Sequence, residues 1–270
     1  MTQANHQTKP EDLLTFTPAN RRIRVQFGGQ TIADSTAVML LREPRRAPTY
    51  YFPQADVRME LLSKGSTPTG SVSGEAFYWS PPSRSKAQFW ALTADQKTAE
   101  EAAWSYADIL SNDLDLRGYV AFNWSKMDHW LEEDEEVFGH PRDPYHRVDV
   151  LQSSHHIKIV VGGQIVAETK RPRLLLETSL PPRYYIPQED IRMDLLTPTE
   201  SHTICPYKGT ASYWSFTSES GVEEDIVWSY LNPLIDCSKI EKLLSFYDER
   251  VEAVYVDGIL QEKPKTMWSK

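Results

Sequence analysis

The sequence predicts a mainly β protein made of two antiparallel-sheet domains that arose from an internal tandem repeat. Three observations predict it. First, residues 24–62 align without a gap on residues 158–196, with 17 identities in 39 positions, and such a fixed offset is the signature of a duplicated unit of about 110 residues. Second, short segments alternate apolar and polar side chains and end in Gly-Gly or Asp-Gly turns. Third, 18 Pro stand against 12 Gly in a chain with 8 Trp, 13 Tyr and 9 Phe, a composition of extended segments and stiff turns. The expected organisation is a polar tail over 1–21, a first repeat over 22–131, an acidic, Pro-containing linker over 132–154, a second repeat over 155–262 and a tail over 263–270. The two repeats are expected to pack as a pseudo-dimer.

The elements follow in order. Ile23, Val25 and Phe27 alternate with Arg24 and Gln26 before Gly28-Gly29, which reads as a strand and a hairpin turn. Ile157, Ile159 and Val161 repeat this before Gly162-Gly163. The apolar runs 37–43 and 174–177 suit the next strand. Tyr184-Tyr185-Ile186 is a strand closed by Pro187. Asp190 reads as the N-cap of a short turn through Leu195, where its carboxylate would accept orphan amide hydrogens. Residues 211–216, 243–247 and 250–256 are further strands, with Asp257-Gly258 as a turn. Helical periodicity is confined to 98–104 and 233–244. Tyr78-Trp79-Ser80 faces Tyr213-Trp214-Ser215 after a one-residue slip, and Trp104-Ser105-Tyr106 faces Trp228-Ser229-Tyr230 at an offset of 124. The acidic run Glu132–Glu136 reads as a solvated face or linker, and the first twenty residues and those from Lys263 onward as mobile tails.

Charge and cysteine count exclude several classes. The 270 residues carry 29 Lys+Arg and 38 Asp+Glu, a net charge of −9, which is a poor start for holding a phosphate backbone, so no nucleic-acid partner is expected. No apolar run reaches the eighteen or so residues of a membrane span, and residues 1–22 lack the apolar core of a secretory signal. Two Cys suit a reducing compartment, so the expected location is cytoplasmic. No cofactor or metal is expected, and internal duplication favours a monomer or weak dimer.

The second copy carries the motif set Gly162-Gly163, Glu177-Thr178, Pro182-x-Tyr184-Tyr185-x-Pro187-x-x-Asp190, Thr203-x-Cys205-Pro206-x-Lys208-Gly209, Tyr213-Trp214, Trp228-x-Tyr230 and Asp257-Gly258. Together with its first-copy counterparts this set resembles the family called domain of unknown function 427, in a tandem form. The resemblance implies a β-tent fold in each repeat, similar to the cores of methionine sulfoxide reductase B and the drug-binding domain of cereblon. It implies no activity. Nucleotidyl transfer would need paired carboxylates holding Mg²⁺ against a phosphate cradle. Asp113-x-Asp115 is the one such pair of note, the second copy lacks it, and the Gly-Gly pairs are hairpin turns.

The copies disagree at one stretch. Thr203-Ile-Cys-Pro-Tyr-Lys-Gly209 faces Thr69-Gly-Ser-Val-Ser-Gly74, which has neither thiol nor ammonium. Cys205 and Lys208 are therefore the candidate catalytic residues, the lysine favouring a thiolate and His202 serving as base. The same residues also read as a buried thiol beside a lysine that snorkels to solvent. His202 and Cys205, with Cys237 or His155-His156, have an acceptable spacing for a metal, but four ligands from scattered residues require a coincidence of folding. The aromatic set Tyr184, Tyr185, Tyr213, Trp214, Trp228 and Tyr230 reads as core or as the wall of a ligand pocket. A linker cluster, His140, Arg142, Asp143, Tyr145, His146, Arg147 and Asp149, either lines a site or pins the connector through an Arg–Asp pair. The leading expectation is a small-molecule binding protein with its pocket in the second repeat, lined by Tyr184, Tyr185, Tyr213, Trp214 and Trp228. Asp190, Cys205, Lys208 and Arg142 would supply the polar contacts. A metabolic enzyme using Cys205 or Lys208 and a structural interaction module are the alternatives.

Overall fold

The computed structural model describes residues 14–44, 46–66, 81–110, 114–218 and 221–269. The chain divides into two units, residues 1–143 and 144–270. The first unit comprises β1 (Thr15–Pro18), β2 (Ile23–Phe27), β3 (Gln30–Ser35), β4 (Met39–Arg42), β5 (Thr49–Pro53), β6 (Leu62–Lys64), β7 (Ala87–Ala94), β8 (Lys97–Tyr106), β9 (Tyr119–Phe122), β10 (His129–Glu132) and β11 (Glu135–Val137). They form an antiparallel seven-stranded sheet in the order β1-β4-β5-β9-β8-β7-β6 and a four-stranded sheet β11-β10-β2-β3. The alternation of Ile23, Val25 and Phe27 buries one face of β2 and leaves Arg24 and Gln26 half-buried, as a two-residue period dictates. Gly28 and Gly29 take φ of +57° and +72°, the backbone that a tight hairpin needs. A Cβ on Gly28 would also lie 2.6 Å from the Ala94 carbonyl oxygen.

The second unit repeats this order. Its strands are β12 (Val148–Gln152), β13 (Ile157–Val161), β14 (Gln164–Thr169), β15 (Arg173–Glu177), β16 (Arg183–Tyr185), β17 (Leu196–Cys205), β18 (Gly209–Ser218), β19 (Gly221–Tyr230), β20 (Leu244–Phe246), β21 (Ala253–Val256) and β22 (Ile259–Leu260). The sheets β12-β15-β16 and β17-β18-β19-β20 are joined by an Ile186–Leu244 bridge. This reproduces the first unit's seven-strand order. The sheet β14-β13-β21-β22 matches β3-β2-β10-β11. The mainly β, antiparallel, duplicated fold read from the sequence is thus the observed one.

Several local expectations are corrected. Residues 98–104, read as helical, lie in β8, because Ala102, Ala103 and Trp104 are buried by pairing with β7 and β9. Residues 233–244 hold only a short 3-10 helix, Ile235–Ile240. The acidic run is not a linker: Glu132 and Glu135 pair across the β10–β11 hairpin, and Glu132 accepts hydrogen bonds from Arg21 and Tyr50. Residues 15–18 and 148–152, read as tail and linker, are the edge strands β1 and β12. Asp190 ends a 3-10 turn over Gln188–Asp190 and caps no helix. Its carboxylate accepts from the Thr169 hydroxyl at 2.7 Å and from Arg171 at 3.1 Å. The C-terminal residues pack too, since the Trp268 ring lies 6.0 Å from that of Tyr247.

The seven-stranded sheet of the first unit buries both faces. Val25, Tyr50, Phe52, Phe122 and Trp130 belong to one cluster, and Tyr51, Phe89, Trp104, Tyr106 and Leu116 to the other. The second unit divides likewise, with Ile159, Phe216 and Phe246 on one side and Tyr185, Tyr213, Trp228 and Cys237 on the other.

Candidate functional site

The strand period divides the aromatic residues singled out in the second repeat. Tyr185, Tyr213 and Trp228 are buried in one cluster, while Tyr184 and Trp214 pack against the other. They are neighbours in sequence but point to opposite faces of the sheet. Trp228 donates its indole N–H to the Tyr185 hydroxyl at 3.0 Å, and burial pushes the Tyr185 phenol far above its ordinary range. Asp190 is engaged with Thr169 and Arg171. Arg142 belongs to the first unit.

Cys205 packs against the Tyr185 cluster, whereas Lys208 is committed to an ion pair. Its ammonium pairs with Glu177, the two side chains being 9% and 7% exposed. His146 hydrogen-bonds the same carboxylate at 3.0 Å and stacks on Tyr207 at 4.0 Å. Burial alone would raise Glu177; the His146 hydrogen bond and the Lys208 charge outweigh it and hold the carboxyl below its usual value. Cys205 is half-buried. Cys237 is buried, with its thiol pushed up to about 11 by that burial. The histidines read as metal ligands are held elsewhere. His202 contacts the Ala211 carbonyl, His155 pairs with Asp257 and His156 with Glu168. Among the described residues no group of three or more His, Cys, Asp or Glu is placed to hold a metal ion. Asp143 does pair with an arginine, Arg42, at 2.9 Å.

The sequence match had aligned Tyr78-Trp79 with Tyr213-Trp214, and strand register replaces that alignment. Phe89 faces Trp104 on β8 as Tyr213 faces Trp228 on β19. Each pairing then slips at a bulge, after Trp90 and after Trp214, and carries an acid at positive φ, Glu101 at 52° and Asp225 at 47°. Phe89-Trp90 is therefore the counterpart of Tyr213-Trp214. Counting back at the same offset of 124 gives Pro81 for Cys205 and Arg84 for Lys208. The first copy lacks the thiol but keeps a cation. Tyr78-Trp79-Ser80, residues 69–74 and Asp113 lie outside the described residues. Asp115 forms a fork with Arg117.

A concave aromatic site lies in the first repeat. A cavity of about 500 Å³ is lined by Tyr50, Phe89, Trp104, Phe122, Trp124 and Trp130, with Arg84 and Glu101 among its polar groups. Its volume falls in the ordinary range of ligand pockets. Trp124 and Trp130 stack at 4.3 Å with planes 4° apart, and Trp130 donates its indole N–H to the Trp124 carbonyl at 3.3 Å. Trp130 is buried, whereas Trp124 is half-buried and offers an aromatic face at the cavity. Arg84 lies 5.6 Å over the Phe89 ring.

Arg183, Tyr247 and Trp268 stand at the corresponding place in the second repeat. Register replaces Thr49 by Arg183, Asn123 by Tyr247, Trp124 by Asp248 and Ser125 by Glu249. Arg183 lies 5.6 Å over Trp228 and makes a two-pronged ion pair with Glu249 at 2.8 and 2.5 Å. The Tyr247 ring lies 4.5 Å from that of Trp228. Thr266 donates to Glu249 at 2.6 Å, and Trp268 covers Tyr247.

Two segments, residues 15–133 and 149–257, match the family described as Domain of unknown function (DUF427). The chain belongs to the DUF427 family. The matched segments begin at the edge strands β1 and β12, so each DUF427 repeat includes the strand that the sequence reading assigned to a tail or a linker. No curated protein matches the chain. Trp124, Trp130 and Arg84 were missed because duplication draws the eye to matching positions. Within the DUF427 repeat these three have Asp248, Val254 and Lys208 as counterparts. The available signal was the reverse one, an aromatic pair six residues apart in one copy only.

Proposed function

We propose that the protein binds a small molecule, and that the site is the aromatic cavity of the first repeat rather than the second-repeat set singled out from sequence. The observation that carries this reading is the contrast between homologous places. The first repeat has an aromatic cavity of about 500 Å³, where the second repeat holds Arg183, Tyr247 and Trp268 packed on or around Trp228. A duplicated fold that only needed stability would be served by filling both places, because an apolar void forfeits packing contacts. The enzymatic alternative at Lys208 is disfavoured by its buried pairing with Glu177, which leaves the ammonium without the free lone pair a nucleophile needs.

The test is a thermal-shift series with planar aromatic fragments on the full chain and on Trp124→Ala, with circular dichroism checking that the variant is folded. Stabilisation should rise with ligand as RT ln(1 + [L]/Kd) and be lost in the variant. A wild-type chain stabilised by no fragment, or a variant stabilised equally, would overturn the proposal.

A further inference from the structure

The polar group in the first-repeat cavity points to the chemistry of its occupant. Arg84 makes no hydrogen bond or ion pair among the described residues, and its Nε is buried without a partner. A buried guanidinium hydrogen left unsatisfied costs free energy, and no acid among the described residues of the first unit pairs with the charge. Glu43, which occupies the position of Glu177, is within 3.8 Å of Arg46. Glu101 lines the same cavity but is exposed and makes no ion pair with Arg84.

The second repeat shows the arrangement completed. There the cation at the position of Arg84, Lys208, is met by the Glu177 carboxylate, and Arg183, which stands over Trp228 at the place of Thr49, is met by Glu249 with both prongs of its fork. Among the described residues of the first repeat the cation is kept as Arg84 and no carboxylate pairs with it, Glu43 standing beside Arg46. Glu249's counterpart by register is Ser125, which also lines the cavity.

We infer that the first-repeat cavity takes a planar aromatic acid, its ring against the Trp124, Trp104 and Phe89 walls and its carboxylate on Arg84. This rests on the reading of the cavity as a ligand site. Charge-assisted, fork-shaped pairing of arginine with a carboxylate is among the stronger polar contacts, and stronger still away from water. The exposed Glu101 carboxylate is screened by solvent and opposes an anion weakly.

The experiment is calorimetric titration of the full chain at neutral pH with 2-naphthoate, 2-naphthamide and 2-naphthylmethylammonium, repeated on Arg84→Gln and Arg84→Lys. The ring is constant and the head group passes from anion to neutral amide to cation. Naphthoate should bind at least tenfold more tightly than the amide. Arg84→Gln should abolish that preference, and Arg84→Lys should retain part of it. Equal affinity for the three probes, or preference for the ammonium, overturns the inference and leaves the cavity as a neutral or cation-preferring ligand site. Absence of binding by all three overturns this inference and the ligand-site reading together. The wild-type comparison decides the matter even if a variant fails to fold.

Discussion

Trp104 donates its indole N–H to the Tyr51 hydroxyl at 3.0 Å in the first repeat, and Trp228 donates to Tyr185 at the same 3.0 Å in the second. Both phenols are fully buried, and burial raises both well above the ordinary tyrosine range. The pair fixes an aromatic corner that each unit has in its own copy. Tyr185→Phe removes the acceptor and leaves a buried indole N–H unsatisfied, which should cost about 1–3 kcal/mol. Chemical denaturation of the variant checks it, and Tyr51→Phe should lose a similar amount.

The Lys208–Glu177 pair behaves as a structural unit of the second repeat. Lys208→Met strands the Glu177 charge and should cost about 3–5 kcal/mol. Glu177 has a lowered value in the fold, so its contribution is present above the ordinary carboxylate range, about pH 4.3, and is lost as pH falls through its folded value. Comparing the stabilities of wild type and Glu177→Gln across pH 2.5–7 should show the difference shrinking toward the acid end.

Asp248 predicts the opposite slope. Burial raises its carboxyl to about 7, the Arg183 charge lowers it in part and Glu249 raises it again. Arg183 is spent on Glu249, and Asp248 sits farther off at 3.6 Å. A raised folded value means that stability is highest with the acid protonated, declines as pH rises from about 4 toward 7, and is level above that. Asp248→Asn should therefore be more stable than wild type at pH 8, by on the order of 2 kcal/mol, with the difference vanishing near pH 4.

The C-terminal residues complete the second repeat. Trp268 covers Tyr247, and Thr266 bonds Glu249. Trp268→Ala should destabilise the second unit by about 1–3 kcal/mol through lost aromatic burial. The measurement is hydrogen exchange at β16 and β20, which should quicken while the first unit is unchanged.

The repeat, the Gly-Gly hairpins and most strands were legible because they rest on local chemistry: two-residue alternation before a turn that only glycine accepts. What misled was distance. The stretch between β6 and β7 is longer than that between β17 and β18, so the eye caught Tyr78-Trp79 where register selects Phe89-Trp90. Residues 98–104 looked helical because Ala and Glu favour helices intrinsically, and pairing with β7 and β9 overrode that preference. Burial faces were beyond sequence reading as well. Tyr213 and Trp214 are adjacent letters, yet one side chain enters each cluster, and the open side of the duplicated corner depended on Arg183, Tyr247 and the distant Trp268.

Indole N–H resonances test the central claim most directly, because each tryptophan reports its own place. On titration with 2-naphthoate or 2-naphthamide, the signals of Trp104, Trp124 and Trp130 should shift progressively and saturate, while those of Trp214, Trp228 and Trp268 stay fixed. Shifts confined to Trp228 and Trp268, or no saturable shift at Trp104, Trp124 and Trp130 with either probe, would contradict a ligand cavity in the first repeat.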